Sequence, residues 1–267
     1  MPELPEVNTV AVALNHHLQG DKIFDWQRLS PKLRRPLPGI SEVKRLIQMP
    51  IVRVFRQAKS IFFDFGFNEY LHFHLGMTGY FKLMQKPRQK QKHEHLRIML
   101  ASGRVLAFID SRRFGVVEVV RALPERVPEP FKNDLTLKYL KQICQNSNRQ
   151  IKVLIMDQAM IAGVGNIYAS ESLFKAGIMP DRPAASLKQT ELQKLYRAML
   201  EVIGKSVDAG LKSLLPDFSL DHDTGHFDIE TLVYGQEHSI CRKCGKAEIE
   251  NSRLGGRSSF FCPICQK

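Results

Sequence analysis

Apolar and polar positions along this chain change period twice, and the changes mark out its architecture. Near the start, Val7, Val10, Val12, Leu14 and Leu18 follow Pro5, which a first helical turn tolerates, so a helix is predicted over residues 4–18. From Ile51 to Val120 the pattern shortens to β-rich runs bounded by glycine or charged residues. These are Ile51–Phe55, Ser60–Phe65, Tyr70–Leu75, Leu96–Leu100, Val105–Ile109 and Val116–Val120, and they predict a mostly antiparallel sandwich or barrel. The basic run from Lys82 to His93 separates two of them and reads as a solvated hairpin loop, with ligand contact only at its His93 end. Beyond Pro124, Pro128 and Pro130 the period lengthens, and helices are predicted over Leu135–Cys144, Ile151–Met160, Ile167–Ala176 and Gln189–Val207.

The fold class expected is therefore two-domain α+β: an N-terminal antiparallel β-sandwich with a leading helix, then a helical domain. Residues 1–125 would form the first, 126–134 a linker, 135–235 the helical domain and 236–267 a small C-terminal module. No stretch reads as a signal peptide or a membrane span, so a reducing, cytoplasmic setting is expected.

That last module carries the firmest local chemistry. Cys241-x2-Cys244 and Cys262-x2-Cys265 place two thiol pairs on tight knuckles, the spacing of a closed tetrahedral zinc site, with Arg257 presented by the intervening hairpin. Two disulfides are the alternative. Cys144 has no close cysteine partner and reads as an ordinary semi-buried residue. Lysine and arginine outnumber aspartate and glutamate by 39 to 27, a formal charge of +12, which points to a polyanionic partner, though a basic surface without one has the same composition. Between two predicted helices lies Gly163-Val164-Gly165-Asn166-Ile167-Tyr168. Its amide groups and Asn166 could grip a phosphate, or the segment could be a plain helical corner.

The opening Met1-Pro2-Glu3 offers a different chemistry. Removal of Met1 would expose the secondary amine of Pro2, able to attack a sugar C1′ and form an iminium that stays cationic without a proton on nitrogen. Glu3 beside it would be placed for acid–base work, though by themselves Pro2 and Glu3 are equally a plain helix-entry sequence.

These motifs in register resemble the bacterial formamidopyrimidine-DNA glycosylase family, whose members are 8-oxoguanine DNA glycosylase/AP lyases. The resemblance runs through Pro2 to Val7, Lys59, His74-Leu75-Gly76-Met77-Thr78-Gly79, Asp110-Ser111-Arg112-Arg113-Phe114-Gly115, Asp157-Gln158, Gly163 to Tyr168, Tyr234-Gly235 and Gly255-Gly256-Arg257-Ser258 with its four cysteines. Leu4 favours this branch over relatives that begin Pro-Glu-Gly-Pro-Glu and prefer oxidised pyrimidines.

The resemblance implies a bifunctional enzyme that excises oxidised purines from duplex DNA and cleaves the abasic strand by β- and δ-elimination. It also implies a helix–two-turn–helix in the second domain and one structural zinc ion on Cys241, Cys244, Cys262 and Cys265. The partner would be damaged double-stranded DNA, and the enzyme a cytoplasmic bacterial monomer. The catalytic set implied is Pro2, Glu3, Lys59 and Arg257, with Glu6 supporting the lesion pocket. His93 and Asn166 match backbone-gripping positions, as Arg257 also does. Met77, Arg113 and Phe114, with Arg112 beside them, match the wedge that fills the space left by an extruded nucleotide. Against the family pattern, Glu94 stands where aspartate is common and Ser111 where proline is. Residues 209–218 are bulkier than the usual Gly/Ser/Thr-rich stretch, and Ser219–Phe227 is expected to be a loop.

Overall fold

The structure, a computed structural model, describes residues 2–214 and 230–267. It divides into two compact units, one built on Met1–Arg126 and the other on Val127–Ser206 with the C-terminal residues from 230.

The first unit opens with helix α1 (Leu4–Leu18), whose apolar residues Leu4, Val7, Val10, Leu14 and Leu18 are all fully buried. Strand β1 (Ile23–Arg28) and a short helical turn α2 (Ile40–Val43) follow, then β2 (Arg53–Gln57), β3 (Ser60–Asp64), β4 (Tyr70–His74), β5 (Gly79–Met84), β6 (Glu94–Leu100), β7 (Val105–Asp110) and β8 (Val116–Val120). They form two four-stranded antiparallel sheets, ordered β1-β6-β7-β5 and β2-β3-β4-β8. Alternation along β4 turns Leu71 and Phe73 into the core and leaves Tyr70, His72 and His74 half-buried on the other face. Between the sheets, Phe63 and Phe73 of one meet Phe81 and Phe108 of the other in tilted and edge-on contacts, with the Phe73 and Phe81 centroids 4.8 Å apart. The expected sandwich is present.

Two strands escaped the sequence reading. β1 exposes Phe24 and so breaks the inward–outward pattern, while β5 runs on through Lys82, Leu83 and Met84 into the basic stretch read as loop. Lys82 is an outward-facing strand residue, and the loop begins only after Met84.

The second unit contains α3 (Leu137–Gln145), α4 (Ile151–Ile155), α5 (Asn166–Ala176) and α6 (Gln189–Leu214) as far as Ser206, then the hairpin β9 (Glu250–Leu254) and β10 (Arg257–Phe261). Thr136 caps α3 through its hydroxyl, which accepts the Tyr139 N–H at 3.2 Å. Helix α4 stops at Ile155, earlier than the predicted Met160, because Gln158 takes over the hydrogen bonding of the turn. Its Nε2 donates to the carbonyls of Met156 (2.9 Å) and Val164 (2.6 Å), and its Oε1 accepts from Gly163 N–H at 3.0 Å. Helix α6 runs past the predicted Val207 and absorbs residues 209–214 of the atypical segment, while Leu215–Phe227 lies outside the described residues. Among the described residues no helix is long and apolar enough to cross a membrane. Cys144 is fully buried, and that burial pushes its thiol up to about 12.

Candidate active site and nucleic-acid interface

In the first unit the N-terminal residues are pinned before the helix begins. Pro2 is buried, and Glu3 occupies the N-cap of α1 in extended conformation with 1% of its surface exposed. The Glu6 carboxylate reaches back to accept the Glu3 N–H at 2.8 Å, half of a capping box, and is itself buried. Glu6 thus fixes the backbone that carries Glu3 and Pro2.

Helix α1 is tied to β2 by Val54 N–H donating to Asn15 Oδ1 at 2.7 Å, and by Arg56 Nε donating to Asn8 Oδ1 at 3.4 Å. The same guanidinium donates at 2.9 Å to the Ala58 carbonyl in the β2–β3 turn, where Ala58 has a φ of 54°. That turn carries the half-buried Lys59. One side chain therefore couples helix α1 to the turn that carries Lys59.

On the β4 face, His74 Nδ1 accepts the Gly76 N–H at 3.0 Å. Burial, then the charges of His72, Lys59 and Arg34, hold the His74 pKa down to about 4. The imidazole is neutral at pH 7 and can accept. Because the folded value is depressed, this contact is present at neutral pH and lost as pH falls through about 4. His72 makes contacts with Ser60 Oγ at 2.9 Å and Glu118 Oε2 at 3.3 Å, and Glu118 is ion-paired with Arg35 at 2.5 Å. His74 opens one of the motifs that carry the resemblance but has no role assigned there, and His72 has no sequence signal beyond the i, i+2 spacing that places both on one face of the strand.

The predicted wedge residues lie on two loops. Met77 is half-buried in the β4–β5 turn, and Arg112, Arg113 and Phe114 lie exposed between β7 and β8. Phe114 exposes 43% of its surface beneath the Arg112 guanidinium, which sits 4.9 Å from the ring centroid. Neither Met77 nor Phe114 is a core residue. Gly76 lets the loops interlock: at φ 66°, an added Cβ would lie 2.5 Å from the Phe114 carbonyl carbon. His93 is exposed at φ 63° in the turn entering β6. Glu94, the departure from the family pattern, is buried, ion-paired to Arg97, and accepts the Gln91 N–H at 2.7 Å, so it braces that turn.

In the second unit Asn166 begins α5, but its amide is engaged within the protein. Nδ2 donates to the Ser258 carbonyl at 2.9 Å, while Oδ1 is buried without a partner. Lys152, 1% exposed, donates to the same carbonyl at 2.9 Å and to Ser259 Oγ at 2.8 Å. Both bonds fall on the strand residues next to the exposed Arg257 and set its position. Lys152 went unnoticed in the sequence, where its only signal is a cation inside the apolar run Ile151–Ile155. At the hairpin tip, Gly255 (φ 53°) brings its backbone against Val153, whose Cγ2 would lie 3.1 Å from an added Cβ. The buried carboxylate of Glu171 accepts from the N–H groups of Leu232, Val233 and Tyr234, anchoring the approach to the hairpin.

The four C-terminal cysteines converge as predicted, and none is in a disulfide. Their sulfurs all lie within 4.8 Å of one another, with Cys241–Cys265 and Cys244–Cys262 at 3.8 Å. A tetrahedron with metal–sulfur bonds of about 2.3 Å separates its sulfurs by about 3.8 Å, so the cluster has the dimensions of a metal site. Backbone N–H groups of Ala247 and Lys246 hold the Cys244 thiol down to about 6, whereas burial and then the neighbouring sulfurs push Cys265 up to about 12. Four clustered thiols of this kind become thiolates together only around a cation.

Comparison with known proteins gives this arrangement a class. Residues 1–117 match the family model described as the formamidopyrimidine-DNA glycosylase N-terminal domain, and residues 127–215 the formamidopyrimidine-DNA glycosylase H2TH domain. A sandwich led by a helix, followed by a helix–two-turn–helix and a four-cysteine hairpin, is the architecture of a DNA glycosylase. The chain belongs to the formamidopyrimidine-DNA glycosylase family. It is 39% identical to the Geobacter metallireducens formamidopyrimidine-DNA glycosylase and 35% identical to that of Yersinia enterocolitica, in each case over 100% of both chains. Among solved structures, it resembles Lactococcus lactis Fpg in complex with N7-benzyl-Fapy-dG-containing DNA (TM-score 0.89, 31% identity, 100% of both chains). It also resembles the same enzyme bound to DNA with an AP site (TM-score 0.86, 30% identity, 99% of both).

Proposed function

We propose that this protein is a bifunctional DNA glycosylase/AP lyase acting as a monomer on oxidised purines, 8-oxoguanine and formamidopyrimidines, in duplex DNA. The observation that carries the reading is the buried Pro2–Glu3 pair, held by Glu6 and coupled through Arg56 to the Lys59 turn. With Met1 removed, the Pro2 nitrogen attacks C1′, the bond to the damaged base breaks, and Glu3 protonates the ring oxygen as the sugar opens to an iminium. Loss of a C2′ proton then expels the 3′-phosphate, and a second elimination expels the 5′-phosphate. Lys59 supplies positive charge beside the reacting nucleotide and its phosphate, while His93, Asn166 and Arg257 serve the DNA backbone, and Arg257 is counted with the catalytic set as well. Asn166 acts through the Ser258 carbonyl next to Arg257. Residues 1–125 carry chemistry and wedge, 126–134 connect, 135–235 hold the helix–two-turn–helix, and 236–267 form the finger. The setting is the bacterial cytoplasm. Borohydride treatment with abasic duplex tests the reading: a stable covalent adduct is expected, and its absence would leave a module that binds damaged DNA without turnover.

Zinc fits the cysteine cluster, and Cys241, Cys244, Cys262 and Cys265 would hold one ion whose role is structural. Cys244→Ser is expected to lower metal content and DNA affinity together, leaving the N-terminal amine intact. Elemental analysis beside a binding titration checks this, and freshly purified reduced protein without zinc would overturn it.

The exposed Phe114 ring enters the base stack when the nucleotide is extruded, Arg113 donates to the orphaned partner base, and Met77 fills the void. Phe114→Ala removes a stacking surface worth about 1–3 kcal/mol. Its single-turnover rate is expected to fall much more on a paired lesion than on a pre-formed abasic site, which needs less unstacking. An equal fall on both substrates would remove Phe114 from the wedge.

A further inference from the structure

Three loops of the first unit carry the proposed DNA-facing residues, and all three hydrogen-bond to a single residue. Asp110 ends β7 with its side chain fully buried. Its Oδ1 accepts the Thr78 hydroxyl at 2.6 Å, on the loop of Met77, and the Arg112 N–H at 3.1 Å. Its Oδ2 accepts the Gly115 N–H at 2.8 Å, just past Phe114. Its own N–H donates to the His93 carbonyl at 3.0 Å, and its carbonyl is bonded to His95 Nε2 at 2.8 Å. The Thr78 oxygen also accepts the Arg112 N–H at 3.1 Å, so the two wedge loops are bridged twice.

We propose that Asp110, with Thr78 as its bridge, is the positioning residue that holds the Met77 and Arg112–Phe114 loops in register for nucleotide extrusion. It acts through those loops, touching neither DNA nor the reacting sugar. A buried carboxylate can accept from several donors at once, and here its acceptors join segments more than 30 positions apart in sequence. Removing the hydroxyl of Thr78 leaves Asp110 Oδ1 with fewer donors and unlinks the loops without opening the core. The inference rests on the wedge reading above.

Thr78→Val and Asp110→Asn, each alone and combined with Phe114→Ala, test it. The measurements are single-turnover rates on a paired 8-oxoguanine duplex and on an abasic duplex, with 2-aminopurine beside the lesion reporting unstacking. Thr78→Val is nearly isosteric and keeps the assay open where Asp110→Asn does not fold. The single variants are expected to lose at least about ten-fold more rate on the paired lesion than on the abasic site and to slow the 2-aminopurine rise. In the Phe114→Ala background Thr78→Val should cost little more, since both act through one device. Full additivity with Phe114→Ala, or a Thr78→Val protein with wild-type kinetics while Phe114→Ala is selectively impaired, would overturn the role of Asp110 and leave the wedge standing. A Phe114→Ala protein impaired equally on both substrates would overturn the wedge reading and this inference with it.

Discussion

Protein whose Pro2 amine is blocked by a residual N-terminal extension is expected to give no borohydride-trapped adduct on abasic duplex. The amine is the only group at this site able to form an iminium that persists without a proton on nitrogen, and acylating it removes its lone pair. Pro2→Gly tests the same point more gently, because a primary amine still reacts but forms a less persistent cation, so base excision and strand cleavage should both slow. Burial of Pro2 next to the fixed Glu3 backbone means an extension would also have to be accommodated in a packed site. If the blocked protein were trapped at wild-type yield, another amine would be the attacker, and Lys59 on the adjoining turn would be examined first.

Glu3→Gln is expected to reduce base excision by roughly 10²-fold or more, the scale of one lost general acid. The substitution keeps the size and the N-cap backbone, and the Glu6 carboxylate can still accept the residue 3 N–H. Folding and DNA affinity should therefore stay close to wild type while proton transfer is lost. Single-turnover excision from an 8-oxoguanine duplex decides the matter: near-normal rates would take Glu3 out of the mechanism.

Much of this architecture is legible in the sequence. Helix α1, six of the eight strands of the first unit and the cysteine cluster follow from local period and spacing, because each is a short-range pattern that burial or metal chemistry enforces directly. The strands that were missed break that rule for identifiable reasons. β1 is defined by pairing with β6 and tolerates the exposed Phe24, and β5 carries Lys82 outward in a segment whose charges resemble a loop. The early stop of α4 depends on the Gln158 side chain bridging Met156, Gly163 and Val164, an interaction no helical period announces.

The site divides the same way. The four cysteines can be named from residue type and spacing, since paired thiols at that interval have few other joint uses, whereas the roles proposed for Pro2, Glu3, Lys59 and the two-arginine wedge motif come from the resemblance to the family. Only the folded chain brings Arg56 to Asn8 and Ala58, locks Gly76 against Phe114, converges three loops on Asp110 and turns Asn166 with the unforeseen Lys152 toward the Ser258 carbonyl. Most of these contacts join residues far apart in sequence, through the register of paired strands and the packing of side chains. Sequence determined which chemistry this protein can carry; tertiary structure decided which residues hold that chemistry in place, because positioning depends on distances between elements that no local pattern encodes.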